Sequence, residues 1–146
     1  MKKEIKNIGF SLSKISTEQF AIIDDEFKGS DNIQLKSNIR YGANEELMMI
    51  SCFVAFVFES VDKPFLMVEG GCHFNIAADS WADMLDVNTK TIILPKGFVR
   101  HLAVLTVGTV RGILHTKTEG TDFNKFVLPT INVADMISDD AVLKFN

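Results

Sequence analysis

PKGFVRHLAVLTVGTVRGILH, residues Pro95 to His115, is the stretch on which the fold turns. At about 100° per residue, Phe98, Val99, Leu102, Ala103, Leu105, Val107, Val110, Ile113 and Leu114 fall in one broad apolar arc of a helix. Gly97, His101, Val104, Gly108, Arg111, Gly112 and His115 form a narrow stripe on the opposite side, with Arg100 at its margin. Pro95 suits a helix start, because the N–H it lacks has no intrahelical acceptor there. Each interior glycine costs roughly 0.5–1 kcal/mol relative to alanine. A helix that keeps Gly108 and Gly112 therefore implies an offsetting gain, such as close approach of another backbone. The alternative is a helix that frays or breaks at them.

Outward from this helix, Ile33, Leu35, Ile39 and Tyr41 alternate with Gln34, Lys36, Asn38 and Arg40, the period of a strand with one wet face. A similar alternation at 8, 10 and 12 predicts a first strand, and Ile15 breaks its phase. STEQFAIIDDEFKGSD then reads as a loop or irregular edge, and Gly42 to Asn44 as a turn. Leu47 to Phe58, LMMISCFVAFVF, is apolar on both phases, and its β-branched and aromatic content favours a strand over a helix. Two apolar faces need two covers. One is the long helix; the other is a partner sheet or a surface left for a ligand. Phe65 to Val68 return as an antiparallel neighbour, Gly70 and Gly71 read as a bulge, and Phe74 and Ile76 close the strand. Ser80 with Asp83 predicts a short capped helix to Leu85, and VADMISDDAVLKF a last short helix whose Asp139 and Asp140 are solvated.

Composition narrows the function classes. At 146 residues, 47% hydrophobic and 23% charged, the chain is of globular type and a single domain over 1–146 is the default. A net charge of −4 with scattered lysines and arginines argues against nucleic acid as a partner. No apolar run reaches the roughly 18 residues of a membrane span, and MKKEIKNIGF has no apolar segment of the export-signal type, so a cytoplasmic protein is expected. Cys52 and Cys72 sit in apolar segments and read as reduced thiols. His101 and His115 stand about 21 Å apart along a helix, too far to share a metal. Cys72 and His73 point to opposite faces of a strand. EGGCH lacks the spacing and the lysine of a phosphate loop. No catalytic residue, metal site or cofactor is expected.

Several local words in order resemble the SecB protein-export chaperone family: FSLSKIST at 10–17, IQLKSNI at 33–39, EGGCHFNI at 69–76, ILP at 93–95, Arg111-Gly112, and LPTINVADM at 128–136. The resemblance implies an α+β fold, a four-stranded antiparallel sheet packed by one long helix plus short helices. It implies a homotetramer built as a dimer of dimers, and unfolded polypeptides or preproteins bound in apolar grooves without ATP. On that reading Phe53, Phe56, Phe58, Phe65, Phe74, Met48 and Met67 line the groove. Gly97, Arg100, His101, Gly108, Arg111 and Gly112 lie at subunit contacts. Ordinary core remains the alternative for the phenylalanines.

The sequence departs from the family where the acidic contacts to the export motor ATPase fall, on Gln19, Ile23 and Met67, and it ends at Asn146 without a second long helix. Those departures speak against docking on that motor. A chaperone dedicated to one client, as in toxin-antitoxin-linked members, or a non-chaperone scaffold that uses its apolar surface for self-association, are the competing expectations.

Overall fold

The computed structural model describes residues 7–29 and 32–145, so the MKKEIK terminus, positions 30–31 and Asn146 lie outside it. Four strands, β1 (Phe10–Ile22), β2 (Ile33–Asn44), β3 (Met49–Ser60) and β4 (Lys63–Ile76), form one antiparallel sheet in the order β1-β4-β3-β2. A long helix, α2 (Lys96–Thr118), lies across β3 and β4, after a short helix α1 (Ala78–Met84). The fold is α+β, as expected.

The two-faced strand is β3, and its phases separate cleanly. Ile50, Cys52, Val54, Phe56 and Phe58 are buried on the helix side, while Met49, Ser51, Phe53, Ala55 and Val57 are half-buried on the open side. From α2 come Phe98, Val99, Leu102, Ala103, Val107, Val110 and Leu114, all buried. Thr106 and Thr118 are buried with them, their hydroxyls donating to the carbonyls of Leu102 and Leu114 at 2.8 and 2.7 Å, which satisfies both polar groups inside the helix. Leu105, read as core, is 39% exposed. By length and apolar composition α2 matches a membrane span; here that apolar surface packs on the sheet.

The double glycine of β4 is not a bulge. A Cβ at Gly70 would sit 2.9 Å from both Val110 Cγ2 and Ile113 Cδ1, and one at Gly71 would sit 2.7 Å from the Phe53 ring. Gly70 lets α2 approach from one face and Gly71 lets Phe53 lie flat on the other. The bulge lies instead between Phe58 and Glu59, where the register shift leaves Phe65 without a partner on β3. Phe65 and Leu66 are consequently both fully buried, and Phe65 gathers Phe27, Phe58, Phe123 and Phe126 around it.

β1 is longer than its pattern predicts, running through STEQFAI to Ile22. Register shifts at Leu12/Lys14 and Thr17/Gln19 leave Ser13 and Glu18 unpaired, so Leu12 and Ile15 share a face although three residues apart. Gly42 to Asn44 continue β2 rather than turning it.

A second sheet, which no local sequence pattern announces, comprises β5 (Leu85–Asp86), β6 (Thr91–Leu94) and β7 (Ala141–Lys144), in that order, with α3 (Val133–Met136) before β7. Ser80 does not cap α1, whose N-cap is Ala77; its hydroxyl accepts the Gly9 N–H at 2.9 Å.

Asp140, read as solvated, accepts the Lys96 N–H at 2.8 Å and so caps α2, whose Pro95 has no side-chain cap to offer. Asp140→Ala is expected to cost about 1 kcal/mol, or roughly 2–4 °C in a circular-dichroism melt. An unchanged melt would show that the carboxylate does not cap.

Candidate functional site

Two apolar surfaces are left by this architecture, and they differ in how far the chain itself covers them. On the open sheet face, the Phe53 ring lies over Gly71 and carries the Arg40 guanidinium 3.9 Å above it. Arg40 reaches on to Glu69 at 3.4 Å, and Lys36 pairs with Glu59 at 3.1 Å. Beside them His73 is hydrogen-bonded at both ring nitrogens, to Ser51 Oγ at 2.6 Å and Ser16 Oγ at 2.9 Å. Burial, then the nearby Lys14, lower the His73 pKa against the opposing Glu18, so the imidazole is neutral at physiological pH. Both ring nitrogens are thus taken by serine hydroxyls, and among the described residues no carboxylate is hydrogen-bonded to the imidazole. This face is capped by its own polar groups.

The outer face of α2 is bare. Val104 is 53% exposed, and Gly97, His101, Gly108 and Gly112 are exposed beside it. A Cβ at Gly97, Gly108 or Gly112 would meet nothing within 4 Å. Among the described residues the glycines therefore make no close approach. Leu12 (50% exposed) and Ile15 (51% exposed) extend the bare surface onto the β1 edge, on the flank where Phe10 packs against His101. Two clefts flank the helix. One of about 450 Å³ is lined by Ile8, Phe10, Gly97, Phe98 and His101; the other, about 210 Å³, by Val104, Val107, Arg111, Ile131 and Val133.

The structure redistributes the residues named from sequence. Phe56, Phe58, Phe65 and Phe74 do not line a groove: they are core, 5% exposed or less, because they occupy the helix-facing phase of β3 and β4 or the bulge beside it. Phe53 and Met67 are half-buried on the open sheet face, and Met48 is half-buried at the β2–β3 turn, so these three do not meet on one surface. Gly97, His101, Gly108 and Gly112 do share the bare face of α2. Arg100 and Arg111 are already engaged by their own chain. Arg111 donates to the carbonyls of Leu128 (3.1 Å) and Pro129 (2.9 Å), and Arg100 to those of Ile137 (2.8 Å) and Ala134 (3.3 Å). The LPTINVADM segment is thereby tied along α2, a role whose one sequence signal is the near-integral three-turn spacing of the two arginines.

Inside the sheet, Tyr41, Cys52 and Cys72 form one cross-strand row beneath α2. The Tyr41 hydroxyl donates to the Val99 carbonyl at 2.8 Å, and Cys72 Sγ to Thr109 Oγ1 at 3.4 Å. Burial pushes the Cys52 thiol up to about 11 and raises Tyr41 as well, so both are protonated at neutral pH and Cys52 is no nucleophile. Among the described residues, no group of three or more His, Cys, Asp or Glu is placed to hold a metal.

No protein-family model matches the chain, and no curated protein matches it significantly. Among solved structures, the chain is similar to a protein of unknown function from Streptococcus agalactiae, with a TM-score of 0.39 and 12% identity over 86% of this chain and 99% of that one.

Proposed function

We propose that the chain is a SecB-like holdase: a cytoplasmic homo-oligomer that binds non-native polypeptides on the apolar surface around α2, without ATP and without catalysis. One observation carries this reading. Gly108 and Gly112 lie inside a 23-residue helix at a propensity cost, yet among the described residues nothing comes close enough to use the space they leave. What offsets that cost lies outside the protomer, in a second copy of the chain or a bound polypeptide. The exposed Val104, Leu105, Leu12 and Ile15 around them supply apolar contact of the kind that promiscuous binding needs. Departures at Gln19, Ile23 and Met67 make clients other than those handed to an export motor the better fit.

Dilution of a chemically denatured client into the protein tests this by light scattering. Suppressed aggregation at near-stoichiometric ratio is the expected result, and no effect on several clients at molar excess overturns the general form. Protection of one client alone selects the dedicated chaperone.

The bare helix face also favours self-association, and Gly108→Leu separates the roles. Its side chain meets open space within the protomer, so the folded protomer is expected to gain up to about 1 kcal/mol from helix propensity. The oligomer is expected to dissociate by multi-angle light scattering. A protomer that unfolds instead removes the interface reading.

A further inference from the structure

Arg100 and Arg111 are eleven residues apart, close to three turns, so both guanidinium groups leave α2 on the same side, roughly 16 Å apart along its axis. Among the described residues neither pairs with a carboxylate; both donate to main-chain carbonyls at the two ends of residues 128–137. Between the clamps Leu128 and Val133 are buried and Ile131 and Ile137 half-buried, while Pro129, Thr130, Asn132 and Asp135 face out. Apart from the single turn α3, this stretch is irregular. Among the described residues, the main-chain hydrogen bonds of 127–140 join it only to itself, Asp135 N–H to Asn132 O and Ile137 N–H to Val133 O. No main-chain bond ties it to the sheet or to α2. It is held instead by side chains, the two arginines and the buried Leu128 and Val133, and at its flanks by buried Phe123 upstream and by β7 paired to β6 downstream.

We propose that residues 128–137 are a displaceable strap lying in the polypeptide site: when it swings out, an extended apolar segment takes its place, and Arg100 and Arg111 move their hydrogen bonds to the carbonyls of that segment. The inference rests on the holdase reading and names its site. The strap itself shows the chemistry that fits, an irregular chain whose Ile131 and Val133 line one cleft with Val104 and Val107 and whose carbonyls accept from two cations. Carbonyls occur in every sequence, so the clamps recognise a backbone rather than a motif. A segment with few main-chain bonds to its surroundings is also among the first to open.

The probe is a fluorescein-labelled peptide of the strap sequence, LPTINVADMI, titrated by anisotropy into the full chain. It competes with a tethered strap at an effective concentration on the order of mM, so the titration runs to that range. A lock is made with Val104→Cys and Ile131→Cys, two positions lining the same cleft. The peptide is expected to bind the reduced protein and to bind the oxidised protein at least tenfold more weakly. In the wild type, amide exchange over 128–137 is expected to rise at peptide saturation. Equal binding to locked and reduced forms, no binding to the wild type, or exchange unchanged over 128–137 each overturns the strap; the last reading needs no variant to fold. Client protection by the same two forms separates the two ideas. Equal protection by both removes the strap alone, whereas a gated peptide with no client protected removes the holdase reading alone.

Discussion

Phe65→Ala lowers the unfolding free energy by about 3–5 kcal/mol, the range for removing a fully buried phenylalanine. Phe65 is 0% exposed, and four rings surround it, Phe27 and Phe126 nearest with centroids at 4.9 and 5.1 Å. Each such ring pair contributes about 0.5–1.5 kcal/mol beyond its area. Against a typical domain stability of about 5–15 kcal/mol, that loss is a large part of the whole. Urea denaturation should show a lower midpoint with an unchanged slope. Phe53→Ser, by contrast, removes a half-buried ring from the open face and is expected to cost much less. Lost client binding at unchanged stability in Phe65→Ala would return Phe65 to the groove.

Gly70→Val is expected to cost about 1–3 kcal/mol, the range for overpacking a filled core. Its Cβ would press on Val110 and Ile113 of α2 at 2.9 Å, with the Ser16 carbonyl 3.4 Å behind it. Ile113 can turn its terminal methyl aside, but the branched Val110 has nowhere to go without lifting the helix. At Gly71→Val the nearest atoms to the new Cβ belong to the Phe53 ring and the Ser16 hydroxyl, both on the open face, where they can swing toward solvent. The ordering Gly70→Val worse than Gly71→Val, read by thermal denaturation, checks which face the helix covers; the reverse ordering would place α2 on the wrong side of the sheet.

Periodicity revealed what was regular. β2 and α2 follow periods of 2 and 3.6 over most of their length, so most of their faces are legible in the sequence, Leu105 excepted; β3, apolar on both phases, shows only that both its faces need a cover. β1 was cut short at Ile15 because two bulges reset its phase, and a phase break looks the same in sequence whether the strand bulges or ends. Gly70 and Gly71 carry a similar ambiguity: a glycine pair serves a bulge or a close approach, and only the positions of Val110, Ile113 and Phe53 decide. The second sheet and the Asp140 cap join residues 91–96 to 140–144, a pairing of short segments that no local pattern announces. The groove list failed on the helix-facing phase of β3 and β4, since an aromatic strand has the same composition in a core as in a binding surface. The bare face of α2 was legible because its glycines and histidines break the apolar pattern; the tie of Arg100 and Arg111 to the 128–137 carbonyls was not, because carbonyls leave no trace in a sequence.

In the proposed holdase, non-native polypeptide is held on the α2 side of the molecule. Amide hydrogen exchange of the chain, alone and loaded with a denatured client, tests it directly. Slowed exchange is expected in α2 from Arg100 to Gly112 and at the β1 edge around Leu12 and Ile15, with the Ser51, Phe53 and Met67 face unchanged. Slowed exchange confined to that sheet face, or none anywhere on a chain that still suppresses aggregation, would contradict it.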